Sequence, residues 1–365
     1  MRVLVVNAGS SSLKLRVLDD RDELAGSADL PAPRGESDRD AARTAIEGFG
    51  PVDVVGHRIV HGGTEFSEPV LIDDRVRRRL HALVDLAPLH QPKSLAALEA
   101  VDEVLPDVPA VACFDTAFHA GMPAAAATYA LPRQWRERWS LRRFGFHGLS
   151  HAYVSRRAAE LAGIDVADAR VVTCHLGAGA SLAAVRGGRS VDTTMGFTPL
   201  EGLAMATRSG TVDPGLVLWL QEHAGMPAAE LAATLEHRSG LEALAGTGDM
   251  KEVVALKDSG DADATLAFDV YVHRIRSGVA AMAASAGGLD VLAFAGGVGE
   301  HAPAVRAAVG EGLAFLGASF DEERDANAVP DADIGAAGAP VRAFVVAARE
   351  DLEIARQSRS VLGSA

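Results

Sequence analysis

The feature that most constrains this chain is a pattern that occurs twice. Residues 2–8 (RVLVVNA) form a short β-branched run, Gly9 and three serines stop it, and residues 13–18 resume as a second apolar run. Residues 171–185 (VVTCHLGAGASLAAV) repeat the arrangement around a Gly-rich turn. Runs of this length bounded by small polar residues read as strand, turn, strand. Ser12-Leu13 and Ser181-Leu182 lie 169 residues apart, nearly half of the 365-residue chain. That offset predicts two similar half-molecules, and the length exceeds what one hydrophobic core usually supports.

Between and after these turns, apolar runs alternate with helical patterns. Residues 53–60 and 110–114 predict strands, and residues 73–86 and 94–105 predict helices. The second half continues with helical patterns at 212–223, 227–237 and 263–286, a strand at 291–295 and a helix at 303–316. A strand at 341–347 leads into a closing helix from about Glu350. Strands feeding helices in this way predict an α/β protein whose sheets are covered on both faces. Residues 30–50 and 329–339 are rich in small and polar residues and read as surface connections, the first with one short helical pattern.

Charge narrows the partners. A formal charge of −14 repels polyanions, and no block of lysines or arginines forms a nucleic-acid tail, so nucleic acid and acidic membranes are poor partners. An anionic ligand must therefore meet a local positive field in a cleft. Cys113 and Cys174 sit in apolar, strand-like runs and read as buried thiols rather than a disulfide. No stretch approaches the ~18 apolar residues of a membrane span and the opening segment has no signal-peptide pattern, so the expected compartment is the reducing cytosol.

The common nucleotide-binding and hydrolase motifs are absent from the sequence. In their place are three small-residue turns, NAGSSSLK at 7–14, HLGAGAS at 175–181 and AGGVGE at 295–300. Turns of this composition let backbone N–H groups approach an anion closely, although each alone is also an ordinary hairpin signal. Asn7, Ser10, Ser12 and Lys14 place an amide, two hydroxyls and one of the chain's four lysines on the first turn, which suits phosphate or hydrated Mg²⁺. Arg58 stands in an apolar run where an unpaired charge is costly, so it calls for a partner or an exposed edge. Asp115 follows the strand at 110–114, where catalytic side chains of α/β proteins emerge. His57 and His61 have metal-like spacing, but in an extended strand they stand ~13 Å apart and cannot share an ion.

Eight stretches carry a resemblance: VLVVNAGSSSLK (3–14), VGHRIVHGGTEF (55–66), LAPLH (86–90), FDTAFH (114–119), RRFGFHGLSH (142–151), CHLGAGAS (174–181), DTTMGFTPLEGLAMATRSGTVDPG (192–215) and AGGVGE (295–300). In this order they resemble the acetate kinase family, of the sugar kinase, Hsp70 and actin superfamily. The resemblance implies two similar ribonuclease H-like α/β domains around a central cleft. It implies an N-terminal domain at 1–150 joined by a C-terminal helix at 348–365, and a nucleotide-binding and dimerisation domain at 151–347. The implied activity is reversible transfer of the ATP γ-phosphoryl group to acetate, with Mg²⁺, in a cytoplasmic homodimer.

The same resemblance implies roles residue by residue. Arg58 and Arg208 would bind the carboxylate and the transferring phosphoryl group, with His147 beside them and Asp115 orienting an arginine. Asn7 would lie near the metal, Glu350 would hold Mg²⁺, and Ser10, Ser12 and Lys14 would surround the phosphates. His90 would line the site, and Val60, Leu89, Phe146 and Pro199 would form the pocket for the acetate methyl. The nucleotide would lie against His175, Leu176, Gly177, Ala178 and Gly179, against Asp249, Met250 and Lys251, and against Gly297, Val298, Gly299, Glu300 and His301. Here the chain departs from the pattern. Ala178 stands where the family usually has asparagine, Lys251 where it has arginine, and His301-Ala302 replaces Asn-Ser. A propionate or butyrate kinase, or a relaxed or non-ATP donor, remains as an alternative.

Overall fold

In the computed structural model, which describes residues 1–9, 12–31, 39–86 and 91–363, the opening run becomes strand β1 (Val3–Ala8). Its alternate residues serve opposite faces, as the two-residue period of a strand requires. Leu4 and Val6 join Leu13, Leu15 and Val17 against Ala42 and Ile46 of helix Arg39–Phe49 and against Ala97 and Val101 of helix Gln91–Asp102. Val3 and Val5 join Leu18, Val111, Ile354 and Ala355, the last two on the closing helix Glu350–Gly363. Each buried valine, leucine or isoleucine among them contributes about 1.5–3 kcal/mol, and each alanine less. The sheet is thereby covered on both faces.

β1 belongs to a six-stranded sheet ordered β3-β2-β1-β4-β6-β5, with β2 at Ser12–Leu18, β3 at Leu24–Pro31, β4 at Val54–Ile59, β5 at Val70–Leu71 and β6 at Ala110–Phe114. β1 pairs antiparallel with β2 and parallel with β4, which pairs parallel with β6. The second repeat builds β7 (Arg170–Leu176), β8 (Ala180–Arg186) and β9 (Arg189–Thr193), followed by β10 (Val291–Ala295), β11 (Ala332–Asp333) and β12 (Arg342–Val345). Their order is β11-β12-β10-β7-β8-β9. Read outward from the first strand of each sheet, the two orders and the two patterns of parallel and antiparallel pairing are the same. The twofold sequence pattern is a twofold topology.

The chain forms two units, one made of Met1–Gly121, His147–Tyr153 and Arg349–Ala365, the other of Met122–Phe146 and Val154–Ala348. In the second, helix Ala262–Ala286 lies on β7, β8 and β9. It buries Ala264, Ala267, Phe268, Tyr271, Val272, Ile275 and Val279 at helical spacing. No helix of the described residues is long and apolar enough to cross a membrane. Cys113 and Cys174 are buried and free.

Three differences from the sequence reading have physical causes. β3 (LAGSADLP) is an edge strand with no fully buried residue, and its alternation rests on Gly26, Ala28 and Leu30, small or half-buried residues that give only a weak apolar pattern. The AGGVGE turn winds into a short helix, Gly296–His301, because Glu300 Oε1 accepts from the Gly296 N–H at 3.0 Å and closes its first turn. The pattern at 303–316 divides into helix Pro303–Glu311 and a separate 3₁₀ turn at Ala314–Leu316, with Gly312 between them.

Candidate active site

Parallel strands deliver their carboxyl ends to one edge, where side chains from several strands meet. In the first sheet Val6 pairs with His57, and Arg58 pairs with Cys113. One position further on, Asn7 lies beside Arg58, and Asp115, two residues past Cys113 and just beyond the end of β6, emerges on the same face to meet them. Arg58 Nε and Nη2 donate to the two oxygens of Asp115 at 3.2 and 2.5 Å, a two-pronged contact that fixes the guanidinium plane. Arg58 Nη1 also donates to Asn7 Oδ1 at 3.3 Å. Asn7 Nδ2 donates to Glu350 Oε2 at 2.8 Å, and that oxygen lies 3.9 Å from Arg58 Nε.

Burial opposes the Arg58 charge, but Asp115 and Glu350 outweigh it and raise the guanidinium pKa further. Burial, helped by Glu350, raises the Asp115 carboxyl above the ordinary range against the pull of Arg58. Two carboxylates face one guanidinium, so this cluster has room for a further cation. The bland explanation of Arg58, an exposed edge, does not hold: β4 is central and the side chain is 15% exposed.

His147 reaches this unit on the loop before helix Gly148–Ala162. The Gly148 N–H donates to the Asp115 carbonyl at 2.9 Å, and a Cβ on Gly148 would collide with that oxygen, so only glycine permits the approach. His147 itself has φ +56°, a left-handed conformation that costs a non-glycine residue about 1–2 kcal/mol. Ser12 and Lys14 lie on β2, with Lys14 directly across from Asn7. Val60 is buried just beyond β4. Ser10, Leu89 and His90 lie outside the described residues. The His57 ring is buried and, among the described residues, has no hydrogen-bond partner on either nitrogen, and His61 Nδ1 accepts from the Gly63 N–H at 2.8 Å.

The second unit places a different surface at the equivalent edge. β7 runs into Gly177 and Ala178, and β10, which pairs Ala295 with His175, runs into Gly297 and Val298. These residues line a cavity of about 560 Å³ together with Asp249, Met250, Lys251, Tyr271 and His301. That is the size of a small-molecule site. Leu176 and Gly299 are packed inside and do not line it. Glu300 faces elsewhere, since Oε1 also accepts from the Ala348 N–H at 2.9 Å.

Arg208 belongs to the second unit and contrasts with Arg58. Its Nη1 donates to the Pro199 carbonyl at 3.1 Å and lies 3.7 Å from Met205 Sδ. Among the described residues no carboxylate lies within ion-pair reach of it. Burial pulls its pKa below the usual guanidinium value, and Glu236 offsets only part of that. The Arg208 loop is tied to the cavity, because the Ala206 N–H donates to the Ala178 carbonyl at 3.2 Å.

Comparison with known proteins decides the family. The profile of the Acetokinase family matches residues 41–356. This chain belongs to the Acetokinase family. It is 45% identical to an acetate kinase of Leifsonia xyli subsp. xyli, with 98% of each chain covered. It is 46% identical to an acetate kinase of Nostoc punctiforme over 88% of this chain and 80% of that one. Among solved structures, an acetate kinase of Porphyromonas gingivalis superposes with a TM-score of 0.90 at 35% identity, and a propionate kinase of Francisella tularensis with 0.90 at 32%, each over 99% of both chains. Backbone shape is thus shared with solved kinases named for different acids.

Sequence reasoning assigned no role to several residues that the structure brings to these surfaces. Leu241, Gly248, Val254 and Tyr271 line the cavity, and only their helical or loop placement gives them that position. Tyr129, Arg143 and Glu201 meet beside Phe197. Arg143 and Glu201 lie within Acetokinase-like stretches, but nothing in the sequence pairs them.

Proposed function

We propose that this chain catalyses the reversible transfer of the ATP γ-phosphoryl group to acetate, giving acetyl phosphate and ADP. The observation that carries the reading is Arg208, a largely buried guanidinium with no acidic partner among the described residues. A buried charge left in that state needs an anion. An acetate oxygen attacks the γ-phosphorus as the bond to the β–γ bridging oxygen breaks, and ADP leaves with that oxygen. The nucleophile is already ionised at neutral pH, so the reaction needs alignment and charge compensation rather than a strong base. Arg58, fixed by Asp115, and Arg208 are proposed to supply both, since planar guanidiniums grip oxygens in pairs where a lysine is a point charge. His147 is proposed to donate to the equatorial oxygens of the transferring group.

Glu350 and Asn7 would hold Mg²⁺, which typically takes one or two carboxylates plus phosphate oxygens and water. The surplus carboxylate of their cluster fits that donor set, and the ion would neutralise charge on the phosphates. ATP is favoured over pyrophosphate because the cavity of the second unit is far larger than a pyrophosphate needs and is lined mostly by apolar groups. Ala178 and Lys251 remove an amide and a stacking guanidinium from that lining, which weakens nucleotide affinity and relaxes the choice among purines. His301 compensates in part by stacking on the base. Val60, Phe146 and Pro199 are proposed to wall the methyl pocket. A β-branched residue at position 60 disfavours propionate and butyrate, although one methylene is worth only about 1–3 kcal/mol.

The proposed partner is a second copy. None of the ten residues of helix Pro214–His223 is buried, and Leu216, Leu218 and Trp219 are 48, 56 and 53% exposed. An apolar surface of this kind supports a homodimer. Two buried free thiols suit the reducing cytosol. A hydroxamate assay with acetate, propionate and butyrate against ATP, GTP and pyrophosphate tests the reading. Acetate with ATP should give the highest kcat/KM, and a pyrophosphate preference or no acyl phosphate overturns it.

A further inference from the structure

One acidic side chain ties the loop that carries Pro199 to the segment that ends at Phe146. Glu201 Oε1 accepts from Arg143 Nη2 at 2.7 Å, and Oε2 accepts from the Tyr129 hydroxyl at 2.5 Å. The same Tyr129 oxygen accepts from the Phe197 N–H at 2.8 Å. Arg143 Nη1 donates to the carbonyls of Thr194 and Met195 at 3.1 and 3.0 Å. The Gly196 carbonyl accepts from the Phe144 and Gly145 N–H groups at 3.0 and 3.2 Å. A Cβ at Gly196 would collide with the Glu201 carboxylate and the Tyr129 hydroxyl, so a glycine leaves the space that the contact fills. Burial first, then Glu201, raises the Tyr129 pKa, so the phenol stays a donor.

We propose that Glu201, held by Tyr129 and Arg143, is a positioning residue that sets acyl-chain selectivity. It does so by fixing the loop at 194–201 against the segment at 127–146. The proposal rests on the reading of the chain as a short-carboxylate kinase whose methyl pocket is walled in part by Phe146 and Pro199. Apolar walls have no directional bonds of their own, so their spacing is inherited from the backbones that carry them. Here both backbones are joined by charge-assisted hydrogen bonds, which are about twice as strong as neutral ones. The Pro199 carbonyl also anchors Arg208, so the loop that forms the wall seats a proposed phosphoryl ligand as well. A pocket loosened by a fraction of an ångström admits one more methylene.

The test uses the full chain with Tyr129→Phe, which deletes only the hydroxyl and both its bonds, and Glu201→Gln, which keeps the shape but removes the charge. kcat and KM are measured for acetate and propionate, with KM for ATP. Both variants should lower the acetate-over-propionate ratio of kcat/KM at least about fivefold, within the range one methylene can supply. The change should appear in KM for the acid, with Glu201→Gln the milder, while KM for ATP stays within about twofold. A ratio held within about twofold in both variants, whatever happens to Tm, overturns the proposal and leaves the contact as scaffold. A wild-type chain that phosphorylates neither acid overturns the underlying reading and the proposal with it.

Discussion

Arg58 and Arg208 are both largely buried, yet they carry their charges in opposite ways. Arg58 is gripped by Asp115 through two bonds, touches Asn7, and has Glu350 near it. Arg208 has a carbonyl and a thioether. The first is a preset piece of geometry whose charge is already answered within the fold. The second has no acidic partner among the described residues, and its proposed counter-charge is the substrate's. Enzymes that stabilise charge in a transition state need both kinds, because a fully paired cation orients well but attracts weakly, and an unpaired one does the reverse.

Removing each arginine separates these roles most sharply in stability. Arg58→Ala leaves Asp115 buried without a partner and should cost about 3–5 kcal/mol in urea unfolding. Arg208→Ala removes an unanswered buried charge and should leave stability within about 1 kcal/mol of wild type or raise it. Equal losses in the two variants would end the distinction.

In catalysis the two should converge. Each substitution is expected to lower kcat/KM for acetate by at least two orders of magnitude, in line with the ~3–4 kcal/mol carried by one preorganised electrostatic donor. Activity within threefold of wild type would remove that arginine from the reaction.

Ligand protection should then favour Arg208. Acetyl phosphate at about a hundred times its Kd stabilises a folded protein by about 2.7 kcal/mol. Wild type should gain this, whereas Arg208→Ala should gain little, because the anion loses a buried cation that has no acidic partner among the described residues. A thermal-shift titration of both proteins reads the difference.

His57 offers a third way to bury a titratable group, by staying neutral. Burial, with Arg77 adding to it, holds the His57 pKa down to about 3, against an ordinary 6.5 in the unfolded chain. The unfolded state therefore binds a proton that the folded state refuses. The resulting stability is fully present above about pH 6.5 and is lost as pH falls towards 3, at up to about 1.4 kcal/mol per pH unit. His57→Leu should flatten the acid limb by one proton's slope in unfolding series at pH 6.5, 5.5 and 4.5. An unchanged slope would mean that His57 is solvated or paired.

The smallest effect concerns the nucleotide. Ala178→Asn restores an amide to the cavity wall, and one hydrogen bond is worth about 1 kcal/mol. The KM for ATP should fall about fivefold with the acetate KM unchanged, and no gain would place the weakness elsewhere.

Amino-acid order alone specifies the duplicated hairpin, the α/β alternation and the family, because each is written in local periodicity or in contiguous runs such as VGHRIVHGGTEF. It also marked Arg58 and Asp115, since an arginine in an apolar strand and an aspartate at a strand's end are locally anomalous. Tertiary structure alone decided which partners answer those charges. The register of β1 and β4 sets Asn7 beside Arg58, Asp115 reaches them from just past the end of β6, and a helix 343 residues beyond Asn7 brings Glu350 to them. It also decided that β3 is a strand, through pairing with β2 that only a weak alternation of small and half-buried residues accompanies. The joining of Arg143 and Tyr129 through the carboxylate of Glu201, 58 and 72 residues away from them, was equally invisible. Periodicity encodes which face of an element is buried, but hydrogen bonds and ion pairs depend on which elements meet, and that is settled only when the chain closes on itself.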